Sequence, residues 1–241
     1  MRAQVDVWHA SVRAGDDELR AMQAMLTARE VARMARLRTP SLQRRFALAH
    51  AFLRGVLSDR TGIAAERLVF ERGAAGKPRL VDREWAPGGI EFNLSHAGDH
   101  ALCAVAEGVE VGIDIEWIDP RIDPHEVAAS SFAPAELKEL ASLDPRARRR
   151  AFFTVWTRKE ALVKGLGTGL STRLDVFAVP VRPEVPPRVE WYGPPPEGTW
   201  TLVDLLPPEG YAACLAAHAA EVRVTGREWA VSPRAADPSA A

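Results

Sequence analysis

Apolar residues recur at helical spacing in several segments of the chain. Residues 18–37 carry an apolar stripe that predicts one amphipathic helix, which the sequence Thr39-Pro40-Ser41 should end. Residues 44–59 predict a second long helix, and residues 150–165 predict a third with the most regular stripe. A short helix is also expected near Pro134, because proline is tolerated in the first turn of a helix.

Other segments alternate between apolar and polar residues, as strands with one buried face do. Residues 90–94 show this pattern, and residues 109–117 show it most clearly. Residues 101–106 are apolar on both faces, which favours a place in the middle of a sheet. Shorter strands are predicted over 68–71, 177–181, 200–205 and 211–217, and loops over 73–78 and 183–198.

The two halves of the chain echo each other. Arg44-Arg45-Phe46 opens one long predicted helix, and Arg149-Arg150-Ala151-Phe152 opens another. The sequence ALCAVA at 101–106 resembles AACLAA at 212–217. Each half therefore runs from a long helix to an apolar strand that carries a cysteine. This favours a duplicated α+β unit with the active site between the copies, although chance similarity would look the same.

Chain length agrees with two subdomains. The 241 residues suffice for one large domain or for two units of about 100 residues each. We expect one subdomain over residues 1–107 and a similar one over residues 108–231. Residues 232–241 are small, polar and proline-containing, which predicts a disordered tail.

Composition narrows the possible functions. The formal net charge of −1 gives no support for a nucleic-acid partner. No apolar run approaches the roughly 20 residues that span a bilayer, and residues 1–11 lack the apolar core of a signal peptide. We therefore expect a cytoplasmic protein without a membrane partner. We also expect a monomer. Cys103 and Cys214 lie in apolar runs and are predicted to be buried free thiols.

The predicted strand at 109–117 carries two candidate metal ligands. Alternate side chains of a strand share a face, so Asp114 and Glu116 should lie side by side, opposite the apolar residues. Gly112 belongs to the same face and should leave room there for a ligand. Two neighbouring carboxylates repel each other, and Mg²⁺, which prefers oxygen ligands, relieves that repulsion. The alternative is a solvated face of an amphipathic strand.

The third predicted long helix carries a further candidate set. Trp156, Glu160 and Lys164 are successive i, i+4 neighbours on one face. Glu160 could bind a metal or accept a proton, and Lys164 could contact a phosphate. An exposed Glu–Lys pair is the alternative. The glycines of Gly165-Leu166-Gly167-Thr168-Gly169 should end the helix and let the backbone approach another group closely.

Four further residues are candidate phosphate contacts. Ser95 and His96 end a predicted strand and should point to opposite sides, which argues against a serine nucleophile with its own base. They could instead donate to a phosphate, or form a polar turn. Lys77 lies in a stiff turn at Gly76-Lys77-Pro78, which by itself indicates little. Arg45 lies near a helix start, where anions bind readily, and a solvated helix end is the alternative.

The order of these motifs resembles the surfactin-synthetase-activating type of 4′-phosphopantetheinyl transferase. That family shows an arginine early in a long helix, Gly-Lys-Pro, Asn-x-Ser-His, Gly-x-Asp-x-Glu, and Trp-x-x-Lys-Glu-x-x-x-Lys followed by Gly-x-Gly-Leu. Here these motifs are Arg45, Gly76-Lys77-Pro78, Asn93-Leu94-Ser95-His96, Gly112-Ile113-Asp114-Ile115-Glu116, Trp156 to Lys164, and Gly167-Thr168-Gly169-Leu170. The resemblance runs from about residue 44 to about residue 217.

The resemblance implies two α/β subdomains related by a pseudo-twofold axis, with coenzyme A between them. It implies that Asp114, Glu116 and Glu160 ligate Mg²⁺, with Glu160, Lys164 and Asp114 as the catalytic residues. The residues implied to hold coenzyme A are Arg45, Lys77, Ser95, His96 and Lys164. Basic residues upstream of Arg45 also contact coenzyme A in the family, and Arg36 and Arg38 are the candidates here.

The implied partner is an apo-acyl or apo-peptidyl carrier protein of fatty-acid, polyketide or nonribosomal peptide synthesis. Its serine hydroxyl would receive 4′-phosphopantetheine, and adenosine 3′,5′-bisphosphate would leave. The segment 118–150 is expected to help contact the carrier, since it lies between the two carboxylate motifs. A metal-dependent phosphohydrolase or nuclease could use the same residue types, and an inactive binding module is a third reading.

Overall fold

The computed structural model describes residues 2–11, 15–73, 76–81, 89–169 and 172–230. The expected tail at 232–241 and Leu170 of the glycine-rich motif lie outside these ranges. Six helices are described in chain order: α1 Asp16–Gln23, α2 Ala28–Ala35, α3 Pro40–Thr61, α4 Pro124–Ser131, α5 Pro134–Ala141 and α6 Pro145–Leu166. The strands are β1 Arg2–Ser11, β2 Phe70–Arg72, β3 Pro78–Leu80, β4 Ile90–Ala97, β5 His100–Glu107, β6 Val111–Trp117, β7 Phe177–Ala178, β8 Glu190–Trp191, β9 Thr201–Asp204, β10 Tyr211–Ala217 and β11 Glu221–Glu228.

The prediction of one helix over residues 18–37 was wrong, because α1 ends at Gln23 and α2 begins at Ala28. A capping box starts α2. The Thr27 hydroxyl accepts a hydrogen bond from the Glu30 amide, and the Glu30 carboxylate accepts one from the Thr27 amide at 2.9 Å. These bonds satisfy backbone donors that a continuous helix would have paired internally.

The two long helices are confirmed and have matching ends. Both α3 and α6 have 22 residues and carry proline in the first turn. Thr39 and Asp144 cap their N-termini through side-chain oxygens. Thr39-Pro40-Ser41, which was predicted to end a helix, therefore begins α3. Each helix ends at a left-handed glycine, Gly62 with φ 73° and Gly167 with φ 66°. These shared caps support two similar subdomains.

The larger strands form two sheets, in the orders β11-β1-β5-β4 and β6-β10-β9. Strand β1 pairs with β5 in antiparallel fashion and with β11 in parallel fashion. Strand β11 therefore follows β10 in the chain but belongs to the sheet of the first half. Neither β1 nor β11 was among the predicted strands.

The sheets pack face to face and each is covered by one long helix. Leu102 of β5, Ile113 of β6 and Leu215 of β10 meet in the core that the sheets share. The outer face of the first sheet packs on α3, and that of the second sheet packs on α6. Each outer face carries one of the two cysteines, both buried and free as predicted. In the part of the chain that is described, no helix combines the length and apolar character needed to cross a membrane.

Candidate active site

The two subdomains meet along β4 and β6, which are joined by side chains. The Asn93 side-chain oxygen accepts a hydrogen bond from the Ile113 amide at 2.9 Å. Two residues further along, the Ser95 hydroxyl accepts one from the Ile115 amide at 3.3 Å. The bonds advance in the same direction on both strands, so the strands run parallel. Their carboxyl ends therefore lie together at this seam, which positions the site.

A close crossing of α6 over β6 brings the second motif to the first. A Cβ atom added at Gly112 would lie 2.1 Å from the Ala161 carbonyl oxygen and 2.2 Å from the Gly165 nitrogen. Gly112 therefore makes room for the backbone of α6. The expectation that it makes room for a ligand was wrong. Gly165 is needed for a similar reason, since Trp200 packs against it and a Cβ there would lie 2.5 Å from the indole.

Asp114 is the centre of the cluster. Its Oδ1 accepts hydrogen bonds from Lys164 Nζ at 2.6 Å and from the Ser95 hydroxyl at 2.9 Å. Only 2% of the Asp114 surface is exposed, so the solvated-strand alternative does not describe this residue. Lys164 is paired between α6 and β6 with Asp114, which differs from a solvated pair along one helix.

Glu116 and Glu160 complete a group of three acidic residues around Lys164. Burial and the charges of Asp114 and Glu160 raise the pKa of Glu116 to about 7, although Lys164 and a hydrogen bond from the Trp156 side chain act in the opposite direction. Burial and Asp114 also raise the pKa of Glu160, against the effect of Lys164. One ammonium group thus balances only part of the negative charge when all three carboxylates are ionised.

The cluster offers carboxylate oxygens, the kind of ligand that Mg²⁺ prefers. In the described ranges, no three acidic, histidine or cysteine side chains are already arranged as a ligand set for a metal. However, Asp114 Oδ2 is buried and has no hydrogen-bond partner among the described residues. A buried carboxylate oxygen without a partner is costly, and a bound cation would satisfy it. The donor set is all oxygen, which suits Mg²⁺.

The two basic residues between Trp156 and Glu160 point away from the cluster. Arg158 is fully buried and binds Asp204 at 2.9 Å and the carbonyl of Val185 at 2.9 Å. Lys159, also fully buried, pairs with Glu136 at 2.9 Å. Both therefore anchor α6 to the rest of the second subdomain, while Glu160 faces the seam.

The apolar residues of the segment expected to contact a carrier belong to this protein's own core. Phe132 and Leu140 are 3% and 4% exposed, and Leu137 packs against the same cluster. These three side chains therefore pack on this protein's own core, the second of the two possibilities for them. The exposed apolar side chains of this region are Trp117 and Ile122, at the end of β6 and just beyond it.

Cationic groups from both subdomains gather at the seam. Strand β4 continues through His96, so Ser95 is buried and His96 is exposed, on opposite sides as predicted. Neighbouring groups still remove part of the hydration of His96, which lowers its pKa, and so do the nearby charges of Lys164, His50 and Arg45. These four residues come from α3, β4 and α6. Such a concentration of positive charge suits an anionic ligand.

His50 is a member of this group that sequence reasoning missed. Its ring stacks on Phe46 at 3.9 Å, and its Nδ1 lies 3.2 Å from a Glu30 oxygen. Burial would raise the pKa of Glu30, but hydrogen bonds from His50, Arg54 and Thr27 lower it to about 2. The only signal for His50 in the sequence was its i, i+4 spacing from Phe46 on the same predicted helix. The upstream candidates Arg36 and Arg38 are both exposed, and their role stays a prediction. Arg33, which was not a candidate, lies over the Phe46 ring at 5.4 Å.

Lys77 lies on the other side of the α6–β6 crossing. Its ammonium donates to the carbonyl oxygens of Val111 and Gly165, both at 3.0 Å, and lies 4.0 Å from Glu91. The side chain is 9% exposed. Burial lowers the pKa of Lys77, against the charges of Glu91 and Glu110.

Two family profiles match the chain. The profile described as the 4′-phosphopantetheinyl transferase superfamily matches residues 110–216. The profile described as the N-terminal part of 4′-phosphopantetheinyl transferase matches residues 8–108. Together they span both subdomains and meet at the start of β6.

Individual relatives carry the same description. The chain is 32% identical to the 4′-phosphopantetheinyl transferase HetI of Nostoc sp. over 226 residues, which cover 94% of this chain and 90% of that protein. It is 34% identical over 157 residues to a putative 4′-phosphopantetheinyl transferase of Synechocystis sp., with 64% of this chain and 61% of that protein covered. It is 32% identical to the 4′-phosphopantetheinyl transferase Sfp of Bacillus subtilis over 132 residues, 55% of this chain and 56% of that protein.

Proposed function

The chain belongs to the 4′-phosphopantetheinyl transferase superfamily, and from this we propose that it transfers the 4′-phosphopantetheine arm of coenzyme A to a serine of an apo-carrier protein. One observation supports the site most strongly: Asp114 of β6 and Lys164 of α6 meet at 2.6 Å where the subdomains join. Glu116 and Glu160 lie around the same ammonium. Carboxylates and a lysine at one point are what pyrophosphate chemistry requires.

We propose that Asp114, Glu116 and Glu160 hold Mg²⁺ when coenzyme A is bound. The partnerless Oδ2 of Asp114 and the repulsion that raises the pKa of both glutamates support this assignment. Bound there, Mg²⁺ would neutralise charge on the pyrophosphate. The Trp156 side chain, which donates a hydrogen bond to Glu116, would orient that carboxylate.

The remaining chemistry is assigned to Glu160 and Lys164. The carrier serine attacks the β-phosphorus of coenzyme A, and Glu160, which lies near Asp114 and Lys164, takes the serine proton. The bond from phosphorus to the bridging oxygen breaks, and adenosine 3′,5′-bisphosphate leaves. The ammonium of Lys164, whose side chain is 30% exposed, would donate to that oxygen as its charge grows. The protein otherwise contributes alignment.

We assign the adenosine 3′-phosphate to the cationic group of the first subdomain, through Arg45 and His96, with Ser95 bracing Asp114 beside it. Arginine offers a charged fork to phosphate oxygens.

The proposed substrates also favour the cytoplasm as the site of action, since coenzyme A and apo-carriers meet there. The expected subdomain limits at 107 and 108 and the expected monomer remain predictions.

Consumption of coenzyme A separates this function from a phosphohydrolase. The chain is incubated with coenzyme A and Mg²⁺, with and without an apo-carrier, and adenosine 3′,5′-bisphosphate is measured by chromatography. A transferase releases that product only when the apo-carrier is present. Equal release without the carrier would favour hydrolysis, and no release with any carrier from fatty-acid, polyketide and nonribosomal peptide systems would contradict the proposal.

Arg45→Ala is expected to raise KM for coenzyme A about 10- to 150-fold, the cost of one charge-assisted hydrogen bond. The 3′-phosphate is remote from the reacting phosphorus, so kcat should change little. KM for dephospho-coenzyme A, which lacks that phosphate, should rise much less. Steady-state kinetics with both substrates measures this, and equal losses with the two would remove Arg45 from the site.

Stabilisation by Mg²⁺ should depend on pH through Glu116. Its pKa rises from 4.5 to about 7 on folding. The metal-free protein therefore binds a proton there more tightly than the unfolded chain does, and that stabilisation is lost as pH rises through about 7. With coenzyme A present, Mg²⁺ should raise Tm more at pH 8 than at pH 6, since protons compete at the lower pH. Thermal melts of wild type and Glu116→Gln test this. Equal Mg²⁺ effects at both pH values in the wild type would contradict it.

A further inference from the structure

The ammonium of Lys77 is already engaged by protein atoms. Two carbonyl oxygens, those of Val111 and Gly165, accept from it at 3.0 Å, and the Glu91 carboxylate lies 4.0 Å away. With only 9% of the side chain exposed, the group is turned inward. An ammonium has three donors, and two of these are used on backbone.

The two carbonyls belong to the elements that carry the reacting side chains. Val111 directly precedes Gly112, and Gly165 directly follows Lys164. Lys77 itself comes from the β2–β3 hairpin of the first subdomain. Its bond to Gly165 satisfies one of the last carbonyls of α6, where a cation is also favoured by the helix dipole. The Lys77 stem lies against Gly167, the residue that ends the helix, at 3.4 Å from a Cβ added there.

We propose that Lys77 is a positioning residue that ties the hairpin, β6 and the last turn of α6 together, and so holds Lys164 over Asp114. This role rests on the proposed transferase function. It differs from the expectation that Lys77 holds coenzyme A, because its ammonium is engaged by Val111 and Gly165 and is not among the charges that act on His96. Loss of the tie would let Lys164 drift, which slows the chemical step more than it weakens binding.

Kinetics of Lys77→Met with coenzyme A and with dephospho-coenzyme A separate the two roles. Methionine keeps the stem and removes the donors. The expected result is a fall in kcat of about 10- to 100-fold, the scale of a misplacement near 1 Å. The preference for coenzyme A over dephospho-coenzyme A should stay at the wild-type value. Arg79→Met is the matched control, since it removes a charge from the same hairpin at a half-exposed position and should stay near wild type.

Hydrogen exchange gives a readout that does not depend on turnover. Amides of 163–167 and 111–113 should exchange faster in Lys77→Met than in wild type. In Arg79→Met, their exchange rates should match those of wild type. If Lys77→Met does not fold, Lys77→Arg replaces it, with a reduced kcat and the same substrate preference expected. A preference that shrinks as in Arg45→Ala, or kcat and exchange both at wild-type values, overturns the inference. Failure of the wild type to modify any carrier would instead reject the function, and the exchange result would still decide the role of Lys77.

Discussion

Asp114→Asn is expected to lower kcat/KM for carrier modification by about a thousandfold, while the protein stays folded. The substitution keeps the shape of the side chain and an oxygen for Lys164, but it removes the charge at the centre of the cluster. Loss of several kcal/mol of electrostatic stabilisation in the transition state corresponds to a factor of this size. Initial rates of carrier modification, with Tm measured on the same preparations, test this expectation.

The control for Asp114→Asn is Glu110→Gln. Glu110 is a carboxylate just before the same strand, but it is 41% exposed and pairs with Arg79 and His218 at 4.0 and 3.6 Å. Its loss should leave the rate within a few fold of wild type, since exposed ion pairs contribute little. If Asp114→Asn were no slower than Glu110→Gln, the cluster would not be the active site.

Gly112→Ala is expected to damage both stability and activity. The added methyl group would lie 2.1 Å from the Ala161 carbonyl oxygen and 2.2 Å from the Gly165 nitrogen, and backbone atoms cannot rotate out of the way. Helix α6 must therefore move off β6 and carry Glu160 and Lys164 with it. Overpacking of this kind costs about 1–3 kcal/mol, and a shift near 1 Å costs about 100-fold in rate.

Gly226→Ala is the matched control, since Gly226 also lies in a strand. In the described residues, no atom lies within 4 Å of a Cβ added at Gly226. Denaturant unfolding and transfer rates of the two variants should differ clearly, with Gly226→Ala at or above wild-type stability. Wild-type values for Gly112→Ala in both assays would show that the α6–β6 crossing is not tight.

Local patterns were enough to predict most of the elements that carry the site. The alternation at 109–117 gave β6 and the face shared by Asp114 and Glu116, and the stripe at 150–165 gave α6. The break within residues 18–37 was also readable, since Thr27-x-x-Glu30 is a capping box, but the apolar stripe on both sides hid it.

What the sequence could not give depends on contacts between distant parts of the chain. The pairing of β1 with β11 joins residues more than 200 positions apart, and no local pattern in either strand identifies its partner. The roles of Gly112 and Lys77 follow from where α6 crosses β6, which no local pattern specifies. His50 likewise joins the cationic group only because α3 lies beside β4.

The most direct test is intact-mass spectrometry of an apo-carrier incubated with the wild-type chain, coenzyme A and Mg²⁺. A carrier whose acceptor serine is replaced by alanine, and a reaction with excess chelator, serve as controls. The proposed transferase function predicts that the intact carrier gains the mass of one phosphopantetheine and that neither control gains mass. An unmodified carrier across fatty-acid, polyketide and nonribosomal peptide systems, or full modification in the presence of chelator, would contradict it.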